Sequence, residues 1–136
     1  MRICIAGGPR TGKTTLSAQL GRKLGIPVYH TDDLLSSSPT GALKRRDDWS
    51  GQSEEVARWF SRPGSWIIEG VTVPRALRKW LAAHPGQAPC DKVIWLTRPK
   101  VSRNKGQEAM ANGCLTVWRE IQFILHERGV EMEMLP

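Results

Sequence analysis

The sequence is poor in the residues that commit a chain to a special environment. It has three cysteines, Cys4, Cys90 and Cys114. An odd count with no paired Cys/His spacing argues against a disulfide framework and against a structural zinc site. It fits reduced thiols in the cytoplasm. No apolar run approaches the ~20 residues that cross a bilayer, so no membrane partner is expected. The opening residues Met1–Ala6 are too few for a signal peptide and lead straight into an ordered motif. Internal repeats and long linkers are lacking, and one domain spanning residues 1–136 is expected. Acidic residues are the scarcer charge, 13 Asp plus Glu against 20 Lys plus Arg, for a net +7. A chain this basic attracts polyanions.

What is present is an alternation of two periodicities. Residues 2–6 read as a buried strand that ends at a glycine pair. In 13–24, Leu16, Leu20 and Leu24 recur at helical spacing, and Gly25 stops the helix. Ile26–His30 reads as a short strand, Ser53–Ser61 as a helix, Ser65–Glu69 as a third strand, and Pro74–Ala83 as a helix with proline at its start. Lys92–Leu96 is a fourth strand, Val101–Met110 a short basic helix, Leu115–Arg128 a helix with one apolar stripe, and Val130–Leu135 an edge-like fifth strand. Residues 34–51 read as a polar loop. The prediction is an α/β fold with a five-stranded, mostly parallel sheet, helices on both faces and a short lid. Of six tryptophans, Trp59, Trp66, Trp80, Trp95 and Trp118 lie in periodic segments and are candidates for the core. Trp49 lies in the polar loop, where an indole is placed to stack on a base.

Ligands of such sheets bind at the carboxyl ends of the strands. Four segments fall on that edge: Gly7–Thr14, Thr31–Asp33, Glu69–Gly70 and Thr97–Arg98. The first of them, Gly7-Gly8-Pro9-Arg10-Thr11-Gly12-Lys13-Thr14, fits G-x-x-x-x-G-K-[ST] in full. Glycines let the backbone curl so that successive N–H groups face phosphate oxygens, and the following helix adds its positive end. Lys13 is expected to reach the β- and γ-phosphates of ATP and Thr14 to ligate Mg²⁺, with Thr15 completing the nucleotide contacts. Arg10 either adds a contact or faces solvent. Magnesium takes oxygen ligands and keeps several waters. Glu69 is therefore a candidate to hold a metal-bound water beside Thr14, the alternative being a carboxylate that caps Gly70-Val71.

A kinase must also orient an acceptor hydroxyl and take its proton, and a strand-end carboxylate does both. The phosphate loop together with Asp32-Asp33 after the second strand resembles the P-loop kinases that include adenylate, shikimate and gluconate kinases and polynucleotide kinase. This resemblance implies the P-loop NTPase fold. It gives Asp32 the role of base and Asp33 a role in supporting the acceptor loop, against a helix N-cap for either residue. It also implies lid cations that clamp the transferring phosphate, with Arg98, Arg103 and Lys105 as candidates and Arg103, inside the lid helix, preferred.

A closer resemblance spans most of the chain. Ala6–Thr14, His30-Thr31-Asp32-Asp33, Trp66–Val71, Arg75-Ala76-Leu77 and Lys105-Gly106-Gln107 are similar to the small phage-type kinases that phosphorylate 5-hydroxymethyluracil within DNA. This implies a DNA acceptor in the host cytoplasm. The basic run Lys44-Arg45-Arg46 and Trp49 would then bind DNA phosphates and an extruded base. Three alternatives stay open: a small-molecule kinase of nucleosides or nucleotides, a polynucleotide 5′-hydroxyl kinase, and a nucleotide-dependent switch with no acceptor. The Asp32-Asp33 pair speaks for a kinase over the switch.

Overall fold

The structure is a computed structural model, and it describes residues 1–34 and 49–136, with the side chain of Trp49 outside the description. Five strands form one sheet in the order β2-β3-β1-β4-β5. They are β1 (Arg2–Gly7), β2 (Val28–His30), β3 (Trp66–Glu69), β4 (Lys92–Leu96) and β5 (Glu131–Leu135). Every adjacent pair is parallel. The helices are α1 (Lys13–Leu24), α2 (Trp49–Trp59), α3 (Val73–Ala83) and α4 (Lys105–Glu127).

Alternation along the central strands divides the core into two layers. Ile3, Ile5, Ile67, Ile94 and Leu96 face α1, where Leu16 and Leu20 cover them. Cys4, Ala6, Trp66, Ile68, Val93 and Trp95 face the opposite way, onto α2, α3 and α4. Successive strand residues point to opposite faces, so a strand buried on both sides reads as a continuous apolar run. β1 is that strand, with residues 3–7 all buried. On the second face Trp95 stacks on Trp118 with ring centroids 5.1 Å apart. The tryptophan assignment holds: Trp66, Trp80, Trp95 and Trp118 are buried, and Trp59 packs half-buried against the same layer. All three cysteines are free and buried.

Two expectations need correction. Residues 101–104 are not helical, and there is no separate lid helix, because α4 begins at Lys105 and runs for 23 residues without a break. The cause is a capping box. The Asn104 side chain accepts from the Gln107 N–H, and the Gln107 side chain accepts from the Asn104 N–H. Once started there, the helix continues through the Gly113 position that separates the two predicted pieces. The α2 helix opens at Trp49, four residues before the expected start, so Trp49 is a helical residue and not a loop residue. The sheet agrees with the expected five-stranded, mostly parallel architecture and is parallel at every pairing. β5 is the edge strand, as expected. Its Glu131 and Glu133 pair with Lys92 of β4 at 3.7 and 2.6 Å.

Candidate phosphoryl-transfer site

The phosphate loop leaves β1 at Gly7 and enters α1 at Lys13. Gly12, at φ 89°, occupies the N-cap position with no side-chain cap. A left-handed residue is needed there, and glycine supplies it without strain. The consequence is functional: the first N–H groups of α1 lack a side-chain partner at the cap and stand ready for an anion. Arg10 also takes a left-handed conformation, φ 63°. For a residue with a Cβ this costs about 1–2 kcal/mol, so the surroundings must hold it. They do so through the Arg10 carbonyl, which accepts from the Lys100 N–H at 2.6 Å, and through Arg10 Nε, which donates to Gln107 Oε1 at 3.2 Å.

Two other loop carbonyls are engaged as well. Gly8 O accepts from Lys13 Nζ at 2.7 Å and from Thr11 Oγ1 at 3.0 Å. Pro9 O accepts from Arg103 Nε at 2.7 Å. Lys13 is 8% exposed. Burial lowers its pKa, and the negative charge of Glu69 opposes that shift most strongly. The ammonium is thus desolvated and held inside the loop, where a phosphate can replace the carbonyl as its partner.

Beside the loop lies a cavity of about 380 Å³ that brings Gly12, Lys13 and Thr14 together with Asp32 and Glu69. Thr14, Thr15 and Asp32 are exposed to it, whereas Glu69 is buried. Its far wall is Gln52, Val71 and Met110. The sequence reading therefore names the residues of both halves, the phosphate loop and the acceptor carboxylate, that share this space. Asp33 is exposed, one residue beyond.

Glu69 does not act as a cap for Gly70-Val71. Its Oε1 lies 2.6 Å from His30 Nδ1. Burial raises the Glu69 pKa, and the hydrogen bond and charge of His30, with Lys13, pull it back down. The backbone next to it is tightly built. The Thr31 N–H donates to Glu69 O, and Gly70, at φ 149°, lies so close to Thr31 that any Cβ would overlap the Thr31 hydroxyl.

The residues that hold a magnesium ion in such a site are oxygen donors, and this set fits. The Thr14 hydroxyl and the Glu69 and Asp32 carboxylates share one cavity. Among the described residues, no group of three or more His, Cys, Asp and Glu side chains forms a metal cage. Magnesium needs none, because phosphate oxygens and waters complete its octahedron.

Arg103 is not in a lid helix. It precedes the cap residue Asn104, braces Pro9, and approaches Glu108 at 3.8 Å. It lines a separate groove of about 410 Å³ beside Gly8, between β4 and α4, and does not line the cavity of Lys13 and Asp32. Arg98 and Lys105 are exposed. Lys44, Arg45, Arg46 and the indole of Trp49 lie outside the described residues.

Of the lining, Gln52, Val71, Gln107 and Met110 were given no site role by the sequence reading, nor was His30 behind Glu69. Gln52 is buried, its Oε1 3.4 Å from Thr72 Oγ1. The signal for His30 was its place at the end of β2, the strand that pairs with the one carrying Glu69.

No protein-family model matches the chain, and no curated protein matches it in sequence. Solved structures do. One is a shikimate kinase from Acinetobacter baumannii in complex with shikimate, at 13% identity and a TM-score of 0.56, covering 99% of this chain and 82% of that one. Another is the shikimate kinase from Aquifex aeolicus vf5, at 16% identity and a TM-score of 0.54, covering 98% and 86%. At these identities the likeness speaks for architecture alone: the chain shares the fold of these two solved structures.

Proposed function

We propose that this protein is an ATP- and Mg²⁺-dependent kinase that transfers the γ-phosphate to a hydroxyl of a small molecule. The observation that carries the reading is the shared cavity, with Lys13 and Thr14 on one side and Asp32 on the other. A nucleotide switch has no need of a carboxylate in that place. A kinase does, because the acceptor proton must be taken as the phosphate arrives. In this reading the α1 N-terminus and Lys13 neutralise the phosphates. Thr14 and Glu69 would hold the magnesium ion, directly or through its water, and the ion would supply charge screening for the phosphates. Asp32 orients the acceptor hydroxyl and removes its proton. Arg103 keeps the loop in shape from behind through Pro9 O.

Two considerations favour a small acceptor. The cavity of about 380 Å³ is on the scale of a small-molecule site. The fold is also shared with kinases one of which was solved with shikimate bound. The net charge of +7 favours a second reading, 5-hydroxymethyluracil in DNA, or a DNA 5′-hydroxyl, as acceptor. The DNA-modification reading draws nothing from the solved structures. Its other supports, Lys44, Arg45, Arg46 and Trp49, are sequence observations.

The test is direct. The protein is incubated with γ-labelled ATP and Mg²⁺ against free nucleosides, nucleotides, shikimate, plain DNA and DNA containing 5-hydroxymethyluracil. Label on a free small molecule, insensitive to salt, supports the main reading. Label on DNA alone, falling with salt, replaces it with the second. Release of inorganic phosphate with no labelled acceptor removes both.

A further inference from the structure

We propose that His30 is a positioning residue of the transfer site: it fixes one oxygen of Glu69 and leaves the other for the nucleotide-bound magnesium ion. The inference rests on the kinase reading above, and concerns a residue to which that reading gives no role.

Backbone geometry comes first. His30 and Glu69 are Cα partners in the parallel pairing of β2 with β3. They stand at the carboxyl ends of both strands, where the site is built. The pairing extends past the strand end through the Thr31 N–H to Glu69 O bond of 3.0 Å. Gly70 and Thr31 are in contact on the other side of the junction. The two backbones are therefore held in register, and the relation between the two side chains does not depend on a loop.

Side-chain geometry then gives the direction of action. His30 Nδ1 and Glu69 Oε1 are 2.6 Å apart, and the side chains are 31% and 4% exposed respectively. The buried partner is the one that lines the cavity with Lys13, Thr14 and Asp32. His30 is not among the lining residues. His30 thus acts on the site through Glu69, from the solvent side. A carboxylate only accepts, so Nδ1 carries the proton and donates it, and Nε2 is left on the outer side of the ring. Lys13 does not replace this bond, since its Nζ is engaged by Gly8 O at 2.7 Å. Without His30, Glu69 would keep a desolvated carboxylate with free side-chain torsions. Its second oxygen would then have no fixed place relative to Thr14.

Residues that orient a metal-binding carboxylate from behind typically contribute 10- to 100-fold in metal affinity or activity. The experiment uses His30→Leu, which removes the donor, and His30→Asn, whose amide nitrogen reaches the place of Nδ1. A third variant, His30→Gln, puts its nitrogen near the place of Nε2 instead. Mn²⁺ is titrated by electron paramagnetic resonance into each protein with a non-hydrolysable ATP analogue. The kcat and the KM values for ATP and acceptor are measured alongside.

His30→Leu should weaken Mn²⁺ in the ternary complex about 10-fold, with a matching rise in the KM for ATP because the nucleotide binds as its metal complex, and lower kcat by about 10- to 100-fold. His30→Asn should recover most of both losses, and His30→Gln should not. If His30→Leu does not fold, the contrast between Asn and Gln decides the matter. Wild-type Mn²⁺ affinity in His30→Leu, or equal losses in Asn and Gln, would overturn the proposal. Failure of the kinase reading looks different. Wild-type protein would bind Mn²⁺ and nucleotide yet label no acceptor, and the Mn²⁺ series would still report on the hold of His30 over Glu69. Conversely, a silent His30→Leu beside an inactive Lys13→Ala sinks the role of His30 and leaves the kinase standing.

Discussion

The two halves of the site are made by different means. The phosphate half is backbone, eight consecutive residues in which the Gly8, Pro9 and Arg10 carbonyls are already engaged and whose helix start is left without a side-chain cap. The acceptor half is side chain. Asp32, Glu69 and Gln52 reach the cavity from separate parts of the chain, and His30 meets Glu69 because β2 and β3 pair in one register. A backbone site tolerates exchange of most of its side chains but not of its glycines or its lysine. A side-chain site should respond to isosteric changes that leave shape intact. This contrast can be broken by experiment, starting where the effect should be largest.

Lys13→Ala should lower the transfer rate by about 10²- to 10³-fold with a native circular dichroism spectrum. Lys13 is the one side chain on which the backbone half depends, and alanine is compatible with the helix start. Near-normal turnover would show that the loop does not hold the transferred phosphate.

Asp32→Asn should cost about 10²-fold in kcat or more, with nucleotide affinity close to wild type. Asparagine retains the shape and can still cap a helix, so only the loss of the base is read. Parallel losses in ATP affinity and kcat would mean that Asp32 belongs to the metal. If Asp32→Asn is silent and Asp33→Asn is inactive, the two roles are exchanged.

Arg103→Gln tests the brace. Its Nε donates to Pro9 O, and its guanidinium lies against Gly8. Loss of a charged hydrogen bond to the loop is worth about 1.5–3 kcal/mol, and part of that should appear as roughly 10-fold weaker ATP binding. A lid arginine acting on the transferring phosphate would show the opposite split, a fall in kcat at unchanged ATP affinity. Pre-steady-state ATP binding separates the two.

The same contrast explains how much was legible in the sequence. The phosphate half was readable because its information is local: spacing, two glycines and a lysine are visible in eight letters. The sheet, covered on both faces, was readable for the same reason, since the short apolar runs in Arg2–Gly7 and Lys92–Leu96 are a property of the segment itself. The acceptor half was readable only in Asp32 and Glu69, which stand at strand ends and carry a charge. His30 gains its meaning from Glu69, 39 residues away, and nothing in the neighbouring letters fixes that register. Gln52 was lost because the preceding polar stretch masks the start of α2. The lid misreading has another cause. The polar stretch around Asn112-Gly113 suggests a break between Val101–Met110 and Leu115–Arg128, and Arg103 then falls inside the first, separate piece. The paired hydrogen bonds of Asn104 and Gln107 instead start one long helix.

The smallest effect concerns stability, and it separates the needs of the acceptor half from those of the fold. Glu69 is 3% exposed, and burial raises its pKa above the ordinary carboxylate value even against the attraction of His30 and Lys13. A raised folded-state pKa means that the ionised form opposes folding. At pH below the unfolded value both states hold the proton and no penalty exists. As pH climbs from there through the raised folded value the unfolded chain releases its proton first, and stability falls until both states are ionised. Above the raised folded value the protein thus carries a standing cost for a carboxylate to which the proposed reaction gives a role. Glu69→Gln removes the charge, and its side-chain oxygen can still accept from His30 Nδ1. Measured without nucleotide or metal, Glu69→Gln should melt no lower than wild type at pH 4 and distinctly higher at pH 7 to 8, while transfer is lost. A melting temperature lower than wild type at pH 7 would mean that the ionised carboxylate holds the β2–β3 junction together, and that the cost attributed to function is in truth a structural contribution.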